Sequence, residues 1–527
     1  MKYTDEQLQN VVTEIFSQSP KSKKELNRIR LRTCSKMRIS QPSNPLLFQV
    51  YQNLLKKGKV EKNKQVEILL RKADIRSTSG ISVITSLVKP YACPGQCVYC
   101  PTEARMPKSY MENEPAAARA LRLCFDPYEQ MIRRIQMLQA NGHETDKVEF
   151  IIKGGTWNAY PLKYQYWFIL ESFKACNDLK RRKPIGPMEE KEWKDKTVED
   201  LQKELMKEQK YNESAHHRII GLTLETRPDA ITPNSIYHMR LLGCTRIELG
   251  LQAPDDSILQ LIKRGHTVQQ FKDAMYLLRE AGFKVDLHFM PDLPGTTPEH
   301  DVEMYKMLFS DPGFKPDMVK IYPNTVIKSS ELYQWFLEGK FKPYGDKQLF
   351  EALLQMKLAT PRYCRISRLI RDIPEPDIQA GNAITNLREE LHKEMKKPNK
   401  TCVCLRCREI SRQKENIPED TLPQIFVDEY DTLGGKEFFI TFEDPKRIAV
   451  FGFLRLRIPT EKTNTKLLEL IPEIKDCAFV RELHVYGTLV EIGKTNTKAS
   501  QHKGYGKRLM AEAEKIAKQY KTKKLAV

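Results

Sequence analysis

Three cysteines on one short stretch carry the clearest chemistry in this sequence. They stand in Cys93-Pro-Gly-Gln-Cys97-Val-Tyr-Cys100, with the spacing C-x3-C-x2-C. Three thiolates spaced in this way can hold three irons of a 4Fe-4S cluster and leave the fourth iron without a protein ligand. An open iron can bind S-adenosylmethionine and pass one electron to its sulfonium, which releases a 5′-deoxyadenosyl radical. The motif therefore predicts a radical cofactor site at Cys93, Cys97 and Cys100.

Two other interpretations use the same thiols. A structural zinc site needs four ligands, and no fourth Cys or His stands near the loop, although His143 could fold back onto it. A disulfide would pair two thiols and leave the third over. Pro94 and Gly95 let the backbone wrap closely round a cluster. The spacing favours the cluster over zinc.

The excess of positive charge points to a polyanionic partner. The 527 residues include 87 Lys or Arg and 68 Asp or Glu, a net charge of +19. The excess is concentrated at residues 21–76, where 16 basic residues face 4 acidic ones and where Phe48 and Tyr51 are interspersed. Apolar positions there recur at helical spacing. We expect a basic helical region at 1–75 that contacts nucleic-acid phosphates, with a solvated helical cap as the alternative.

Cysteine usage and the apolar pattern bear on the compartment. The 12 cysteines concentrate in two motifs rather than in an even disulfide framework, which suits a reducing compartment. The first residues lack an apolar signal core, and no stretch approaches 18 consecutive apolar residues. The sequence predicts a soluble, cytoplasmic protein.

Strand and helix patterns alternate from Gly80 onward. A strand at 81–88 runs straight into the cysteine loop, and helices are expected at 128–138, 162–173, 255–263, 268–281 and 298–309. Further strands are expected at 148–152, 219–224, 246–251, 285–290 and 318–322. Six strands with crossover helices predict an α/β fold, a parallel and partly closed (β/α)6 barrel. Residues 180–215 interrupt this rhythm with mixed charge and predict an exposed helical insertion.

Functional groups in such barrels lie at the C-terminal ends of the strands. Six side chains or turns fall at those positions: Cys93, Gly154, Glu225, Gln252, His288 and Tyr322. Glu225 and Arg227 could bind cofactor hydroxyl and carboxylate groups, and a buried ion pair is the alternative.

A second cysteine cluster comes after the barrel region. Cys402, Cys404 and Cys407 have the spacing C-x-C-x2-C and provide three soft ligands. His392 or Cys364 could complete a tetrahedral zinc site that joins the barrel to the C-terminal domain. Zinc is favoured over a second redox cluster, and three unliganded thiols are the remaining alternative.

The C-terminal segment changes to an antiparallel period. Strands are expected at 437–442, 447–458 and 478–487, and Gln501-His-Lys-Gly504-Tyr-Gly506 opens an amphipathic helix that runs to about residue 518. Glycines at a strand-to-helix junction expose backbone N–H groups to a pyrophosphate. The pattern Q-x-x-G-x-G in this position predicts acetyl-CoA binding.

Together these motifs give a sequence that resembles the Elongator protein 3 family over nearly its whole length. The resemblance rests on the cysteine loop and on seven further runs: 105–110, 146–150, 154–156, 224–229, 371–374, 481–487 and 501–506. The form Arg105-Met-Pro-Lys-Ser-Tyr110 is similar to the stand-alone bacterial branch, which implies action without a large Elongator assembly.

The family resemblance implies a radical SAM barrel followed by an α+β acetyltransferase domain of the GNAT type. It implies conversion of the wobble uridine, position 34 of tRNA, towards 5-carboxymethyluridine. The radical would abstract hydrogen from the acetyl methyl of acetyl-CoA, the resulting carbon radical would add to C5 of uridine, and thioester cleavage would leave the carboxymethyl group. tRNA, bound through its anticodon stem-loop, and acetyl-CoA are the implied partners.

The resemblance also assigns residues. Cys93, Cys97 and Cys100 would hold the cluster, and Gly154 and Gly155 would lie beside the methionine moiety of S-adenosylmethionine. Lys147 matches an acetyl-CoA contact in Asp146-Lys-Val-Glu-Phe150. Lys147 and His484 are the candidate catalytic residues, with a solvated surface lysine and a core histidine as the respective alternatives. The acetyl-CoA contacts of the C-terminal half would be Glu482, Leu483, His484, Val485, Gly504, Tyr505 and Gly506.

The end of the sequence departs from the family pattern. The family continues past the last helix with a strand, a glycine-rich turn and a tyrosine-bearing helix, whereas this sequence stops at Val527. We therefore expect an incomplete acetyltransferase sheet and less secure acetyl-CoA hydrolysis.

Four regions are predicted: basic helices at 1–75, the barrel at 76–365, a linker with the second cysteine cluster at 366–430 and the acetyltransferase domain at 431–527. Two other functions stay open. One is a protein lysine acetyltransferase that uses the barrel as a scaffold, and the other is a tRNA-binding protein whose acetyltransferase half is inactive.

Overall fold

A parallel sheet of seven strands forms the centre of the structure, a computed structural model that describes residues 3–71, 80–384, 386–395, 397, 400–418, 420–486 and 504–527. The described strands are β1 (Ser82–Leu87), β2 (Lys147–Lys153), β3 (Arg218–Thr226), β4 (Arg246–Gln252), β5 (Lys284–Phe289), β6 (Met318–Ile321), β7 (Thr325–Ile327), β8 (Arg365–Arg368), β9 (Ile378–Gly381), β10 (Gln424–Thr432), β11 (Gly435–Glu443), β12 (Val450–Pro459), β13 (Cys477–Val485) and β14 (Lys524–Ala526).

Helices precede, connect and follow these strands. They are α1 (Asp5–Gln18), α2 (Lys23–Lys36), α3 (Asn44–Lys56), α4 (Lys64–Leu70), α5 (Pro115–Arg122), α6 (Pro127–Ala140), α7 (Leu162–Asp178), α8 (Glu190–Asp195), α9 (Val198–Asn212), α10 (Pro233–Leu241), α11 (Asp256–Leu261), α12 (Val268–Glu280), α13 (Pro298–Ser310), α14 (Glu331–Leu337), α15 (Asp346–Ala359), α16 (Leu387–Glu394), α17 (Leu405–Arg408), α18 (Ile410–Gln413), α19 (Thr465–Leu470) and α20 (Tyr505–Gln519).

The seven central strands run in the order β1-β2-β3-β4-β5-β6-β8, and every neighbouring pair is parallel. Pairing does not join β8 back to β1, so the sheet is an open, partial barrel. All six predicted strands are present. The seventh, Arg365–Arg368, was missed because it has four residues and three of them are polar.

Strand β2 illustrates how the barrel positions its side chains. Val148, Phe150 and Ile152 are buried on one face, whereas the alternate positions are half-buried. Because successive side chains of a strand point to opposite faces, one face packs into the apolar core and the other borders the interior cavity. The residues that face the cavity therefore sit at every second position.

The N-terminal helices form a small bundle with its own core. Thr4 caps α1 in a reciprocal capping box with Gln7. Phe16 stacks on Tyr51 with ring centroids 4.0 Å apart, and Phe48 is also buried. The lysines of the bundle are largely exposed. The helical prediction is confirmed, but Phe48 and Tyr51 belong to the core rather than to the basic surface.

The 180–215 segment is helical, as predicted, and less exposed than expected. It forms α8 and α9, and Leu201 and Leu205 of α9 are fully buried. Helix α9 packs against α7, so the segment covers the outer side of a barrel helix with its apolar stripe.

The C-terminal region is a second sheet, with the order β10-β11-β12-β13-β14. Strands β10 to β13 are antiparallel, and β14 pairs in parallel with β13. Helix α20 packs on β11, β12 and β13. The expectation that the strand after this helix would be missing was wrong, because residues 524–526 pair with 477–479. Strand β10 was missed; it begins in the predicted linker and ends at Thr432, two residues into the predicted acetyltransferase domain.

Among the helices of the described residues, none combines the length and the apolar character that crossing a bilayer requires.

Candidate active site

The cysteine loop leaves the end of β1 and is held in place by two other elements. The Val98 amide donates to the Ile262 carbonyl at 3.1 Å, and the Leu332 amide donates to the Val98 carbonyl at 2.8 Å. Residues 262 and 332 lie at the end of α11 and the start of α14. The thiols of Cys93, Cys97 and Cys100 line one cavity of about 1090 Å³. The structure thus brings the three predicted ligands together at the C-terminal ends of the strands.

One thiol of this loop is strongly acidified. A hydrogen bond with Cys100 and the Arg264 guanidinium, whose Nη1 lies 3.5 Å from Cys97 Sγ, lower the pKa of the Cys97 thiol to about 4. Thiolates rather than thiols bind iron. Arg264 was not singled out in the sequence, although a buried arginine that donates to a thiolate can orient and stabilise a metal ligand.

The residues around the thiols fit a cluster with a bound cofactor. Arg227 chelates Asp229 through Nε and Nη2 at 2.9 and 3.0 Å, which leaves its buried Nη1 without a hydrogen-bond partner. That atom occupies the space where a side chain on Gly95 would begin. A donor held beside the thiols suits a carboxylate ligand.

Two glycines shape the turn after β2. Gly154 has φ +134°, and a Cβ there would overlap Val88 Cγ2. Gly155 has φ +91° and lines the cavity. Only glycine adopts these conformations at low cost. The backbone can therefore lie close to a ligand at the position predicted for the methionine moiety of S-adenosylmethionine.

The barrel interior carries a buried network of charges. Lys153, Lys320 and His288 surround Glu248, whose side chain is almost fully buried. Lys153 also lies 3.4 Å from Glu225. All five side chains line the cavity between the thiols and the far end of the barrel. A charged cluster inside a barrel is costly unless its members pair with one another or with a polar ligand, so this cluster marks a candidate reaction chamber.

The protonation states in this network differ from those in water. Burial acts to raise the pKa of Glu225, but Lys153 and the other nearby cations outweigh it and lower that pKa to about 2. Tyr110 donates to the same carboxylate at 2.8 Å. Burial, assisted by Lys320, lowers the pKa of His288 to about 3. At neutral pH the chamber holds a carboxylate at 225 and a neutral imidazole at 288.

The cavity extends from the thiols through the barrel to the C-terminal sheet. Its far end is lined by Glu482, Leu483 and His484 of β13. Strands of six or seven residues at about 3.3 Å per residue separate the two ends by roughly 20 Å. The structure therefore joins the predicted radical site and part of the predicted acetyl-CoA site in one chamber.

Lys147 lies at the start of β2, outside the residues that line the cavity. Glu149, Ile151 and Lys153 of the same strand do line it. Since alternate residues of a strand share a face, Lys147 continues this row at the end of the barrel nearest the C-terminal sheet. Its position is compatible with the predicted contact.

The candidate residues of β13 have different surroundings. Glu482 is fixed by Arg455 at 2.9 Å and Lys284 at 3.3 Å; these cations overcome the effect of burial and lower its pKa to about 2. The His484 ring stacks on Phe453 with centroids 5.9 Å apart, and burial lowers its pKa. Glu482 is thus committed to ion pairs, whereas His484 presents a neutral imidazole to the chamber.

The acetyl-CoA loop is described only from Gly504 onward, and its residues 501–503 lie outside the described residues. Gly504 begins α20 with φ +74°. A Cβ on Gly506 would lie 3.9 Å from Val485 Cγ2, so the two predicted contact segments are neighbours. Tyr505 is buried against Phe442, with ring centroids 4.7 Å apart. Tyr505 therefore supports the sheet, while the start of the helix remains the candidate anion site.

The second cysteine cluster forms a compact group. The Sγ atoms of Cys402, Cys404 and Cys407 lie within 4.8 Å of one another, as a single metal ion requires. Hydrogen bonds with the other two thiols lower the pKa of Cys404. The Lys357 ammonium lies 3.8 Å from Cys407 Sγ. Among the described residues, neither Cys364 nor His392 joins this group, so the expected fourth ligand is not placed there.

Sequence reasoning missed Lys153, Glu248 and Lys320. Each is a charged residue inside an apolar stretch: Phe150-Ile-Ile-Lys153, Ile247-Glu-Leu249 and Met318-Val-Lys-Ile321. A charge within a central strand is rare unless it has a partner or a ligand. That signal was available in the sequence.

Comparisons with known proteins agree with this geometry. The Radical SAM superfamily profile matches residues 87–308, and the Radical_SAM C-terminal domain profile matches residues 316–397. The partial barrel and the thiol loop thus define a radical S-adenosylmethionine enzyme, a class that uses a 4Fe-4S cluster and S-adenosylmethionine.

Relatives narrow the class. The tRNA uridine(34) acetyltransferase of Methanocaldococcus infernus is 39% identical over 492 residues, 91% of this chain and 86% of that protein. That of Dehalococcoides mccartyi is 39% identical over 443 residues, 84% and 91% of the two chains. Elongator complex protein 3 of Schizosaccharomyces pombe is 32% identical over 98% of this chain and 92% of its own. The chain belongs to this Elongator protein 3 family.

A solved structure supports the same assignment. The archaeal Elp3 of Methanocaldococcus infernus with an N-terminal deletion superposes with a TM-score of 0.69 and 36% identity, and the match covers 85% of this chain and 93% of that one.

Proposed function

We propose that this protein is a tRNA uridine(34) acetyltransferase, a transferase that uses acetyl-CoA and S-adenosylmethionine to install a carboxymethyl group at C5 of the wobble uridine. The observation that carries the proposal is the single cavity that joins the thiols of Cys93, Cys97 and Cys100 to His484 on the C-terminal sheet. A reaction that combines two cofactors needs both to reach one chamber.

The cofactor end of the chamber is assigned to the cysteine loop and its neighbours. Cys93, Cys97 and Cys100 hold the cluster, Arg227 and Glu225 bind polar groups of S-adenosylmethionine, and the turn at 154–155 gives it room. Bound together, the two groups supply a radical able to abstract a hydrogen atom. The unpartnered Nη1 of Arg227 and the ionised Glu225 support their roles, because one is a donor and the other an acceptor.

The acyl end is assigned to β13, Lys147 and the start of α20. The backbone at Gly504 and Gly506 offers N–H groups to the CoA pyrophosphate, and Lys147 adds a positive charge. His484 is assigned to accept a proton from the water that cleaves the thioester. Its pKa is lowered by burial, which supports the neutral form that a general base requires.

The substrate is tRNA. Support comes from the exposed lysines of the N-terminal bundle: Lys21, Lys23, Lys24, Lys36, Lys56, Lys57, Lys59, Lys62 and Lys64. Such a surface suits phosphate contacts, and an anticodon loop offers an unpaired uridine to the chamber. We also propose that the protein acts in the cytoplasm without a large Elongator assembly and that Cys402, Cys404 and Cys407 hold a zinc ion.

One experiment tests the function directly. Anaerobically reconstituted protein is incubated with tRNA, acetyl-CoA, S-adenosylmethionine and a reductant, and CoA release and tRNA nucleosides are measured. We expect CoA release that depends on tRNA, and 5-carboxymethyluridine at position 34. Cys97→Ala should abolish the modified nucleoside, whereas Cys124→Ala, at an exposed cysteine outside the loop, should not.

The outcome separates the alternatives. A protein lysine acetyltransferase would release CoA without tRNA, and an inactive tRNA-binding protein would release none. Either result from wild-type protein carrying a full complement of iron would overturn the proposal.

A further inference from the structure

Tyr91 stands at the mouth of the cofactor chamber. It lies two residues before Cys93 and is 44% exposed. It lines a second cavity of about 730 Å³, and this cavity shares Cys93, Cys97 and Cys100 with the main chamber. The ring is therefore on the route between solvent and the thiols.

The inner face of Tyr91 rests on a column of buried aromatic rings. The Tyr91 and Tyr160 centroids are 4.9 Å apart, and Tyr160 stacks on Tyr164 at 5.2 Å. The Tyr160 hydroxyl donates to the Lys89 carbonyl at 2.7 Å and lies 3.3 Å from the Gly154 carbonyl. The column is thus tied to the backbone on both sides of the cofactor site, so the outer face of Tyr91 is held in a fixed orientation.

Other exposed tyrosines of the described residues lie elsewhere. Tyr211 and Tyr520 are 42% and 39% exposed, and neither lines either cavity. Tyr211 is covered by the Arg181 guanidinium at 4.2 Å. Location, rather than exposure alone, sets Tyr91 apart.

Positive charge accompanies the ring. Lys89 is exposed, and its Nζ lies 5.1 Å from the Tyr164 ring centroid in the same column. Lys108 lines both cavities. An aromatic platform with lysines beside it is the arrangement that proteins use for single-stranded nucleic acid, where bases stack on rings and cations contact phosphates.

We propose that Tyr91 stacks on a nucleobase next to the target uridine and so holds the anticodon loop at the mouth of the chamber. This inference rests on the proposed function. A uridine that enters past the thiols leaves its neighbours outside, and an unstacked neighbouring base presents a free face to the ring. The buried rings of Tyr160 and Tyr164 fix the position of the Tyr91 ring, and therefore the position at which that base stacks.

The test is equilibrium binding of an anticodon stem-loop RNA that carries 2-aminopurine beside the wobble uridine. Tyr91→Ala should weaken binding about 5- to 150-fold, the range that ~1–3 kcal/mol for one stacked base converts to, and should remove the fluorescence quenching. Tyr91→Phe and Tyr91→Trp should stay within about twofold of wild type, because both keep a ring. The matched control, Tyr211→Ala, should bind as wild type does.

Two further measurements on the variants are the salt dependence of RNA binding and the iron content. Tyr91→Ala should leave the slope of log affinity against log salt unchanged, whereas Lys89→Ala should reduce it, since only the lysine neutralises a phosphate. Equal iron content in the Tyr91 variants shows that the neighbouring cluster loop is intact. If Tyr91→Ala loses iron, Tyr91→Phe and Tyr91→Trp decide the result.

Two failures are distinguishable. If wild-type protein binds the RNA and Tyr91→Ala binds equally well, or if Tyr91→Phe is as weak as Tyr91→Ala, the stacking proposal falls and the proposed function stands. If wild-type protein does not bind the RNA at all, both fall.

Discussion

Arg481 of the C-terminal sheet and Asp317 of the barrel form a fully buried bidentate ion pair, with N–O distances of 2.6 and 2.7 Å. Arg481 also donates to Glu437 at 2.7 Å and to the Phe283 carbonyl at 3.0 Å. These contacts hold the C-terminal sheet against the start of barrel strands β5 and β6. The pair therefore fixes the end of the chamber that contains His484.

Loss of Arg481 should destabilise the whole protein. Arg481→Met leaves Asp317 buried without its main partner, and breaking one side of a buried pair costs about 3–5 kcal/mol. We expect that decrease in the free energy of unfolding, measured by denaturant titration. The control is Lys436→Ala, whose exposed ion pairs with Glu429 and Asp431 should contribute little to stability because solvent screens them. Equal stabilities of the two variants would contradict this prediction.

Asp292 should make stability fall as pH rises. It is fully buried, and burial raises its pKa to about 8. The native state therefore binds a proton that the unfolded state has released, and the associated stability is lost progressively up to about pH 8. Asp292→Asn mimics the protonated acid, keeps an acceptor for the Tyr344 amide and suits the φ of +66°.

The expected signature of Asp292→Asn is a difference that depends on pH. Relative to wild type, the variant should gain up to about 1.4 kcal/mol for each pH unit as pH rises towards 8. Denaturant titrations across that range measure it. A constant difference at all pH values would show that Asp292 does not hold the proton.

Gly154→Ala should prevent S-adenosylmethionine from binding. The new methyl group would overlap Val88 Cγ2 and would require an unfavourable φ of +134°. Gly186→Ala is the control, since Gly186 has φ +79° and open space around it. Gly186→Ala should lose only about 1–2 kcal/mol of folding stability, because alanine is unfavourable in the left-handed backbone conformation. Calorimetric titration with S-adenosylmethionine distinguishes them, and normal binding by Gly154→Ala would rule out the predicted position of the cofactor.

Cys404→Ser should remove zinc and leave iron unchanged. Cys404 is fully buried within the compact thiol group, and the thiols of the cysteine loop do not belong to that group. Atomic emission should find one zinc per wild-type chain and none in the variant, with a lower melting temperature because a structural metal contributes to folding. Zinc-free wild-type protein, purified without chelators, would show that the three thiols do not hold zinc.

Local patterns predicted much of this fold. The six barrel strands and the thiol loop were found because alternating apolar residues and cysteine spacing are properties of short segments. Strands β8 and β10 were missed, because one is very short and the other has exposed alternate residues. The burial of Phe48 and Tyr51 could not be predicted, since it depends on how four helices pack together.

The candidate site likewise contains residues that the local sequence predicts and residues that it does not. The glycines and cysteines could be identified by residue type and spacing, whereas Glu248 meets Lys153 and Lys320 only through the register of three strands. Arg264 reaches Cys97 across 167 positions in the sequence. Such contacts depend on the curved arrangement of the barrel and are only weakly indicated by the local sequence.

The chamber extends from the cysteine loop at one end to β13 at the other. S-adenosylmethionine and the acyl donor would therefore occupy opposite ends of one chamber and would not share a binding site. Neither needs to wait for the other to leave, so spent CoA can be exchanged while the adenosyl fragment is still in place. Double-reciprocal plots that vary the two compounds should intersect to the left of the axis rather than run parallel.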